Sequence, residues 1–341
     1  MAMPPPTLLL SRGVIAGLAS TRDYLEAMHI AFAGLADGRY RMPAALHLPA
    51  EMGAFHVKGA IRSERPALAV VKINGNFPGN ALTPGLPTIQ GFVAVLDADR
   101  GCVLALMDSI EITARRTAAT SALAARHLAR KGSRNLGMVG CGLQALYHLD
   151  ALLDVAPIES IRYCDPRDEA ADAFGQRAQA LGLRAERVTG AGAAARGADI
   201  VITLTTSTRP VLALSDVEPG TFVAGVGADS PAKHELAPDL LRESRVVVDA
   251  RDPAIAGGDL GHAIRLGVMT ESDIHAELAD IVAGRVAAQP GPDHRYVFDS
   301  TGLAVQDLAA AEMVLERARA MRGVPSMTFN DFSGARDVQV S

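Results

Sequence analysis

Two glycines and a distant acid carry the clearest chemistry in the chain. Val139 closes a short apolar run, Gly140, Gly142 and Ala145 follow in a G-x-G-x-x-A pattern, and a helical stretch begins near Leu143. Bare glycine backbone admits a pyrophosphate closely, while a helix N-terminus offers its unpaired N–H groups to the phosphate oxygens. A second apolar run, "SIRYCD", ends at Asp165, about 20 residues past Gly142, where a carboxylate accepts hydrogen bonds from ribose hydroxyls. That charge repels a 2′-phosphate, so NAD(H) is favoured. Arg167 is a guanidinium able to receive such a phosphate and leaves room for NADP(H). The glycine turn alone also suits a plain strand-to-helix connection; strand, glycines, helix and acid in order point to a dinucleotide.

Two further groups stand in positions where chemistry is plausible on physical grounds. Lys72 lies inside the apolar strand pattern "ALAVVKINGNF", where an unpaired ammonium is costly, unless it sits at a strand edge and reaches water. Asp229 in "GVGADSP" follows the end of an expected parallel strand, the edge where ligands bind, and alternatively caps a helix over "SPAKHEL". The nine histidines are scattered, and none falls at ligand spacing with the cysteines, so no metal site is expected. Cys102, Cys141 and Cys164 lack C-x-x-C spacing and read as reduced structural thiols.

The elements that must position these groups divide the chain in two. Up to about residue 115 the pattern is mixed: a helical stretch over "TRDYLEAMHIAFAGLADG", then short strands broken by Gly and Pro, with "DADRG" as a hairpin turn. This predicts a smaller α+β domain built on an antiparallel sheet. From "ARRTAATSALAARHLARKG" onward, strands at "NLGMVG", "SIRYCD", "LRAERV", "ADIVITL", "TFVAGVG" and "SRVVVDA" alternate with helices, which predicts a doubly wound parallel sheet of Rossmann type. The tail helix "LAVQDLAAAEMVLERARAM" is amphipathic and is expected to return to the first half. The expected division is therefore 1–115 with 308–341 as one domain and 116–307 as the dinucleotide domain.

The 341 residues, with a net charge of -5 and no long run of like charges, argue against nucleic acid as the main partner. The N-terminal apolar run is too short for a signal peptide core, and no segment approaches a membrane span. A soluble cytoplasmic protein, not bound to membrane, is the expectation.

Five blocks in order, "VVKINGNFPGN" with "GLPTIQG", "ALMDSIEITARRTAATSALAARHLAR", "GCGLQA", "GVGADSPAKHEL" and "VFDSTGLAVQDLAAA", make the chain resemble the ornithine cyclodeaminase/mu-crystallin family over nearly its whole length. The resemblance implies a homodimer of two-domain subunits, the first domain supplying dimer contacts and substrate groups and the second the nicotinamide cofactor. It assigns Arg41, Lys72 and Arg116 to the substrate carboxylate, with Arg116 also at the cofactor. A guanidinium holds a carboxylate bidentately and fixes the α carbon against the nicotinamide. It makes Asp229 the proton donor and acceptor beside the substrate amine, with Lys72 as a second candidate for moving the proton. Thr88, Gln144, Thr205, Lys233 and the turn Val226, Gly227, Ala228 fall at cofactor positions. Ser300 and Thr301 fall where the family closes over nicotinamide and substrate. His56 and Lys58 occupy the region where ornithine-specific members carry a glutamate for the distal amine; two basic groups there disfavour a diamine and suit an acidic or neutral substrate.

The implied activity is hydride exchange between NAD(H) and the α carbon of a small amino or imino acid, as an imine reductase or amino acid dehydrogenase. Two alternatives stay open: cyclodeamination of L-ornithine to L-proline and ammonia with a retained NAD, and a non-catalytic cofactor-binding protein like some mu-crystallins.

Overall fold

The computed structural model describes residues 5–83 and 85–328. In chain order they begin with β1 (Thr7–Leu10), α1 (Arg12–Leu18), α2 (Thr21–Ala36), β2 (Tyr40–Arg41), β3 (Leu46–Ala50), β4 (Gly53–Arg62), β5 (Leu68–Asn76), β6 (Ile89–Asp97), β7 (Val103–Asp108) and α3 (Ser109–Leu128). There follow β8 (Asn135–Val139), α4 (Leu143–Leu153), β9 (Ser160–Cys164), α5 (Asp168–Ala180), β10 (Arg184–Arg187), α6 (Ala191–Ala195), β11 (Ile200–Thr203) and β12 (Thr208–Leu212). The last group is β13 (Phe222–Gly225), β14 (His234–Leu236), α7 (Pro238–Arg242), β15 (Arg245–Val248), α8 (Arg251–Ala256), α9 (Asp259–Arg265), β16 (Ile274–Glu277), α10 (Leu278–Val282), β17 (Tyr296–Asp299) and α11 (Ala304–Ala320). None of the described helices is long and apolar enough to cross a membrane.

The chain forms two compact units, one of residues up to Ser20, Gly38–Thr113 and the chain from Asp307, the other of Thr21–Asp37 and Ala114–Gln306. The helix α2, expected with the first half, groups with the second unit, where Arg22 meets Asp154 and Asp37 meets Arg285. The helix α3 also begins earlier than its alanine-rich stretch suggests. Asp108 accepts the Glu111 N–H and so caps the helix in its first turn.

In the first unit the sheet runs, in order, from a two-residue strand (Ser326–Met327) through β1, β7, β6, β5 and β4 to β2, with β3 also paired to β4. All pairs are antiparallel except β1 with β7. The "DADRG" turn links β6 and β7 as expected, with Asp97 accepting the N–H groups of Asp99 and Arg100. One sheet face, carrying Leu68, Val70, Val93, Val95 and Met107, is buried. The helix α11 lies against it, where Glu312 pairs with Arg62 at 2.6 Å and Asp307 pairs with Lys72.

The second unit holds an eight-stranded parallel sheet in the order β10, β9, β8, β11, β13, β17, β15, β16. Its central strands β11, β13 and β17 are buried residue by residue, as strands covered on both faces must be. The chain winds outward from β8 to β10, then crosses back to place β11 on the other side of β8. The strand order therefore reverses between β8 and β11, and ligands of open parallel sheets bind outside the carboxyl ends at such a point.

Candidate active site

The glycine turn lies at this reversal. Gly140 leaves β8 with φ +92°, a conformation that side chains resist, and a Cβ there would stand 2.9 Å from the Leu204 carbonyl oxygen at the end of β11. Gly142 caps α4 with no side-chain hydrogen bond, so the first N–H groups of that helix are left for a ligand. A cleft of about 1010 Å³ opens here, lined among others by Gly140, Asp165, Arg187, Thr205 and Ser207.

The Asp165 side chain is 4% exposed and already engaged: its Oδ2 accepts the Cys141 N–H at 2.8 Å, and its carboxylate receives the Arg167 backbone N–H, Nε and Nη2. Burial works to raise its pKa, but the hydrogen bonds from Arg167 and Cys141 outweigh it and hold the carboxyl below its ordinary value. Asp165 thus fixes the glycine turn and compensates Arg167, whose guanidinium lies beside Gly142. Burial, with Asp165 nearby, pushes the Cys141 thiol up to about 12 and the Cys164 thiol to about 11, so both stay neutral.

The ends of β11 and β13 are tied together by Glu235. This fully buried side chain accepts the N–H groups of Thr205 (2.6 Å) and Gly227 (2.7 Å) and the Thr203 hydroxyl (2.7 Å). Thr205 in turn accepts the Ser207 N–H, and Val226 donates to the Thr203 carbonyl. Ala228 is fully buried behind this loop. Asp229 follows it and receives Lys233 Nζ at 2.6 Å, its side chain half exposed. No helix follows Asp229: the chain turns into β14, so the capping alternative does not hold. Leu143 begins α4, exposed, and Gln144 beside it has a buried Oε1 with no hydrogen-bond partner.

The "DSTG" loop hangs on another buried acid. Asp249, after β15, accepts the N–H groups of Thr301 (2.8 Å) and Gly302 (2.6 Å) and the Thr301 hydroxyl. Ser300 and Thr301 are buried. Gly302, at φ +79°, lies so close to Arg116 that a Cβ would stand 2.9 Å from Nη1. Arg116 is 5% exposed and donates to Gln306 Oε1 at 2.5 Å.

In the first unit Lys72 is 4% exposed on the interior strand β5, with Nζ 2.6 Å from Asp307 Oδ2 and 3.5 Å from the Thr113 hydroxyl. The alternative of a strand-edge lysine reaching water does not hold; a carboxylate partner makes its burial tolerable. Register sets its neighbours. Residues directly opposite share a face, so Lys58 stands beside Lys72, and His56 lies opposite both Asn74 and His47. Arg41, exposed at the end of β2, is opposite Ile61 and so falls on the other face from Lys72. Thr88 is half-buried, its carbonyl accepting the Phe77 N–H.

The positioning acids were not foreseen from sequence. Asp249 and Asp299 each end an apolar strand run, "VVVDA" and "YVFDS", a signal of the kind that marked Asp165. Glu235, Gln306 and Asp307 carry no local signal, because their partners are remote in sequence.

The ornithine cyclodeaminase/mu-crystallin family profile matches residues 7–322. An iminosuccinate reductase of Paracoccus denitrificans is 32% identical over 314 residues, covering 92% of this chain and 97% of that one. Among solved structures, an archaeal alanine dehydrogenase dimer with bound NAD superposes with a TM-score of 0.91 at 33% identity, covering 96% of this chain and 100% of that one. The Thermococcus litoralis Δ1-pyrroline-2-carboxylate reductase, in complex with NADH and L-proline, gives 0.88 at 31% identity, covering 92% and 98%. With the glycine turn, the parallel sheet and the "DSTG" loop in place, this chain belongs to the ornithine cyclodeaminase/mu-crystallin family.

Proposed function

We propose that this protein is an NAD(H)-dependent oxidoreductase acting on the α C–N bond of a small amino or imino acid, in the manner of an imine reductase or amino acid dehydrogenase. The observation that carries this is the glycine turn at the strand-order reversal, backed by relatives whose structures hold NAD or NADH. The residues fit the dinucleotide. Gly140 and Gly142 leave room for a pyrophosphate at the start of α4. Asp165 faces the cleft with its charge retained, and its hold on Arg167 favours NAD(H) over a 2′-phosphorylated cofactor. Leu143, Gln144, Thr205, Lys233, Ser300 and the Val226–Asp229 turn, together with Thr88, complete the cofactor set.

When bound, the nicotinamide supplies or accepts a hydride at the substrate α carbon. The chain's own groups do the rest. Arg116 and Lys72 anchor the carboxylate, with Thr301 in support, and His56 and Lys58 face the side chain; Arg41, on the other sheet face from Lys72, falls outside this set. Asp229 gives a proton to the imine nitrogen in reduction and takes one from the amine in oxidation. Lys233 donates to Asp229 Oδ1 and orients that carboxylate. In reduction the C=N bond would gain at carbon the hydride that the bound nicotinamide supplies and at nitrogen the proton from Asp229. The second unit is the dinucleotide domain and the first the substrate and dimerisation domain of a homodimer.

The test is NADH oxidation, followed by absorbance, with pyruvate, glyoxylate or oxaloacetate plus ammonia, alongside NAD with L-ornithine assayed for proline and ammonia. NADH loss with a keto acid is the expected result. Proline and ammonia formed without net NADH replaces this reading with cyclodeamination.

A further inference from the structure

The two cations assigned to the substrate carboxylate are held in different ways. Lys72 meets the carboxylate of Asp307 at 2.6 Å, whereas Arg116 meets the side-chain amide of Gln306. Arginine carries donors only, so the atom facing Arg116 Nη1 at 2.5 Å is the amide oxygen, and Gln306 Nε2 is the end turned away. That Nε2 is buried and has no hydrogen-bond partner among the described residues. A buried donor without an acceptor costs about 1–3 kcal/mol, so the fully buried Gln306 is a poor way to fill space in a core. Its contribution lies at the oxygen end.

The surroundings of Arg116 show what that oxygen does. Gly302 lies so close that a Cβ there would stand 2.9 Å from Nη1 and 3.2 Å from Nη2, and Asp249 accepts the Gly302 N–H at 2.6 Å. The guanidinium is therefore aimed by an anchored bare backbone and by an amide oxygen. A neutral oxygen orients a guanidinium without cancelling its charge, whereas a carboxylate in its place forms a buried ion pair that an incoming anion has to break. Helix preference does not account for the neutral residue. Gln306 stands in the first turn of α11, where an acidic side chain is favoured by the helix dipole by about 0.3–1 kcal/mol.

We propose that Gln306 is a positioning residue for the substrate α-carboxylate: its amide oxygen aims Arg116, and its neutrality keeps the guanidinium receptive to an anion. This rests on Arg116 anchoring that carboxylate, as in the function proposed above. The two properties separate in two variants. Q306E keeps the length and an acceptor oxygen but adds a competing charge, and competition with substrate raises KM. Q306M removes the acceptor, so the α carbon is also less well aimed and kcat falls.

The experiment measures NADH oxidation with ammonia and whichever of pyruvate, glyoxylate or oxaloacetate the wild type consumes, in wild type, Q306E and Q306M. Alongside, nucleotide fluorescence follows NADH binding and then the binding of propionate and of propionamide to the protein–NADH complex. The wild type is expected to bind propionate more tightly than propionamide. In Q306E the keto acid KM rises and propionate affinity falls by about tenfold or more, with kcat and NADH affinity within about threefold of wild type. In Q306M kcat also falls, by about tenfold, with NADH binding retained. Q306E with wild-type KM and propionate affinity overturns the proposal, because a residue that only packs α11 tolerates glutamate. Loss of NADH binding in Q306M as large as its loss of propionate binding overturns it too, as general damage. A wild type that binds propionate but consumes NADH with no keto acid overturns the oxidoreductase reading alone, the propionate loss in Q306E still supporting the role of Gln306.

Discussion

Lys72 and Asp307 are buried to 5% and 1% side-chain exposure and stand 2.6 Å apart, and each makes the other's burial tolerable. Removing one charge strands the other in a poorly solvated site, which costs about 3 kcal/mol or more. D307N is therefore expected to lower the urea midpoint markedly, and a surface pair such as Arg65 with Asp99, at 3.9 Å and exposed, supplies the contrast. A D99N midpoint as depressed as that of D307N would refute the assignment. A second residue-scale prediction concerns Asp299, which accepts the N–H groups of Asp259 and Leu260 at the start of α9. Burial, with Asp249 nearby, pushes its pKa from 3.8 up to about 7, and the neighbouring Asp259 is raised by its own burial and by Asp299. An acid whose pKa is higher folded than unfolded binds its proton more tightly in the native state. Its contribution to stability is complete below about pH 4 and is lost as pH rises to about 7. D299N, which keeps one acceptor oxygen and cannot ionise, is expected to lose less stability than the wild type between pH 5 and 8. Parallel urea-midpoint curves for the two proteins would remove Asp299 from that titration.

At the scale of elements, the turn from β8 to α4 combines backbone strain with a close approach, and the two can be separated. Gly140 and Gly132 share a positive φ, of +92° and +79°, but a Cβ at Gly140 meets the Leu204 carbonyl whereas one at Gly132 meets nothing within 4 Å. Both G140A and G132A carry a backbone penalty of roughly 1–3 kcal/mol. G140A alone is expected to weaken NADH binding by about tenfold or more in a fluorescence titration. Equal affinities for the two variants would mean that the turn does not cradle the cofactor. This turn was legible in sequence because all its parts are local: an apolar run, glycines at fixed spacing, a helix start and an acid at the next strand end. Strand order was less so. The four-residue β17 lies between β13 and β15 although it follows both in the chain, and a run as short as "YVFD" does not announce itself by periodicity. Glu235 and Asp307 stayed hidden for a related reason. Each works by meeting groups that the fold brings from far along the chain, and neither has a pattern around it that says so.

At the scale of the whole molecule, the first sheet poses a question of assembly. An antiparallel sheet with one face on a core ordinarily turns a polar face to water. Here the face away from α11 carries Leu46, Leu48, Phe55, Val71 and Phe92, each at least 37% exposed, and the register of β3, β4, β5 and β6 places them side by side. A contiguous apolar surface of this kind marks an interaction site. An archaeal relative that this chain matches along nearly its full length is a dimer, and in the homodimer proposed above a second copy would occupy this face. Val71 sits near the middle of the patch, opposite Gly59 and Ala94, where no larger side chain shields it. V71E places a charge there without touching the buried face that holds Lys72. Light scattering is expected to show the wild type as a dimer and V71E shifted toward monomer. A V71E protein that remains as dimeric as the wild type at micromolar concentration would move the interface elsewhere. If the shift occurs and the kcat/KM for the substrate falls with it, assembly and catalysis are linked through this sheet, whose opposite face carries Lys72, Lys58 and His56.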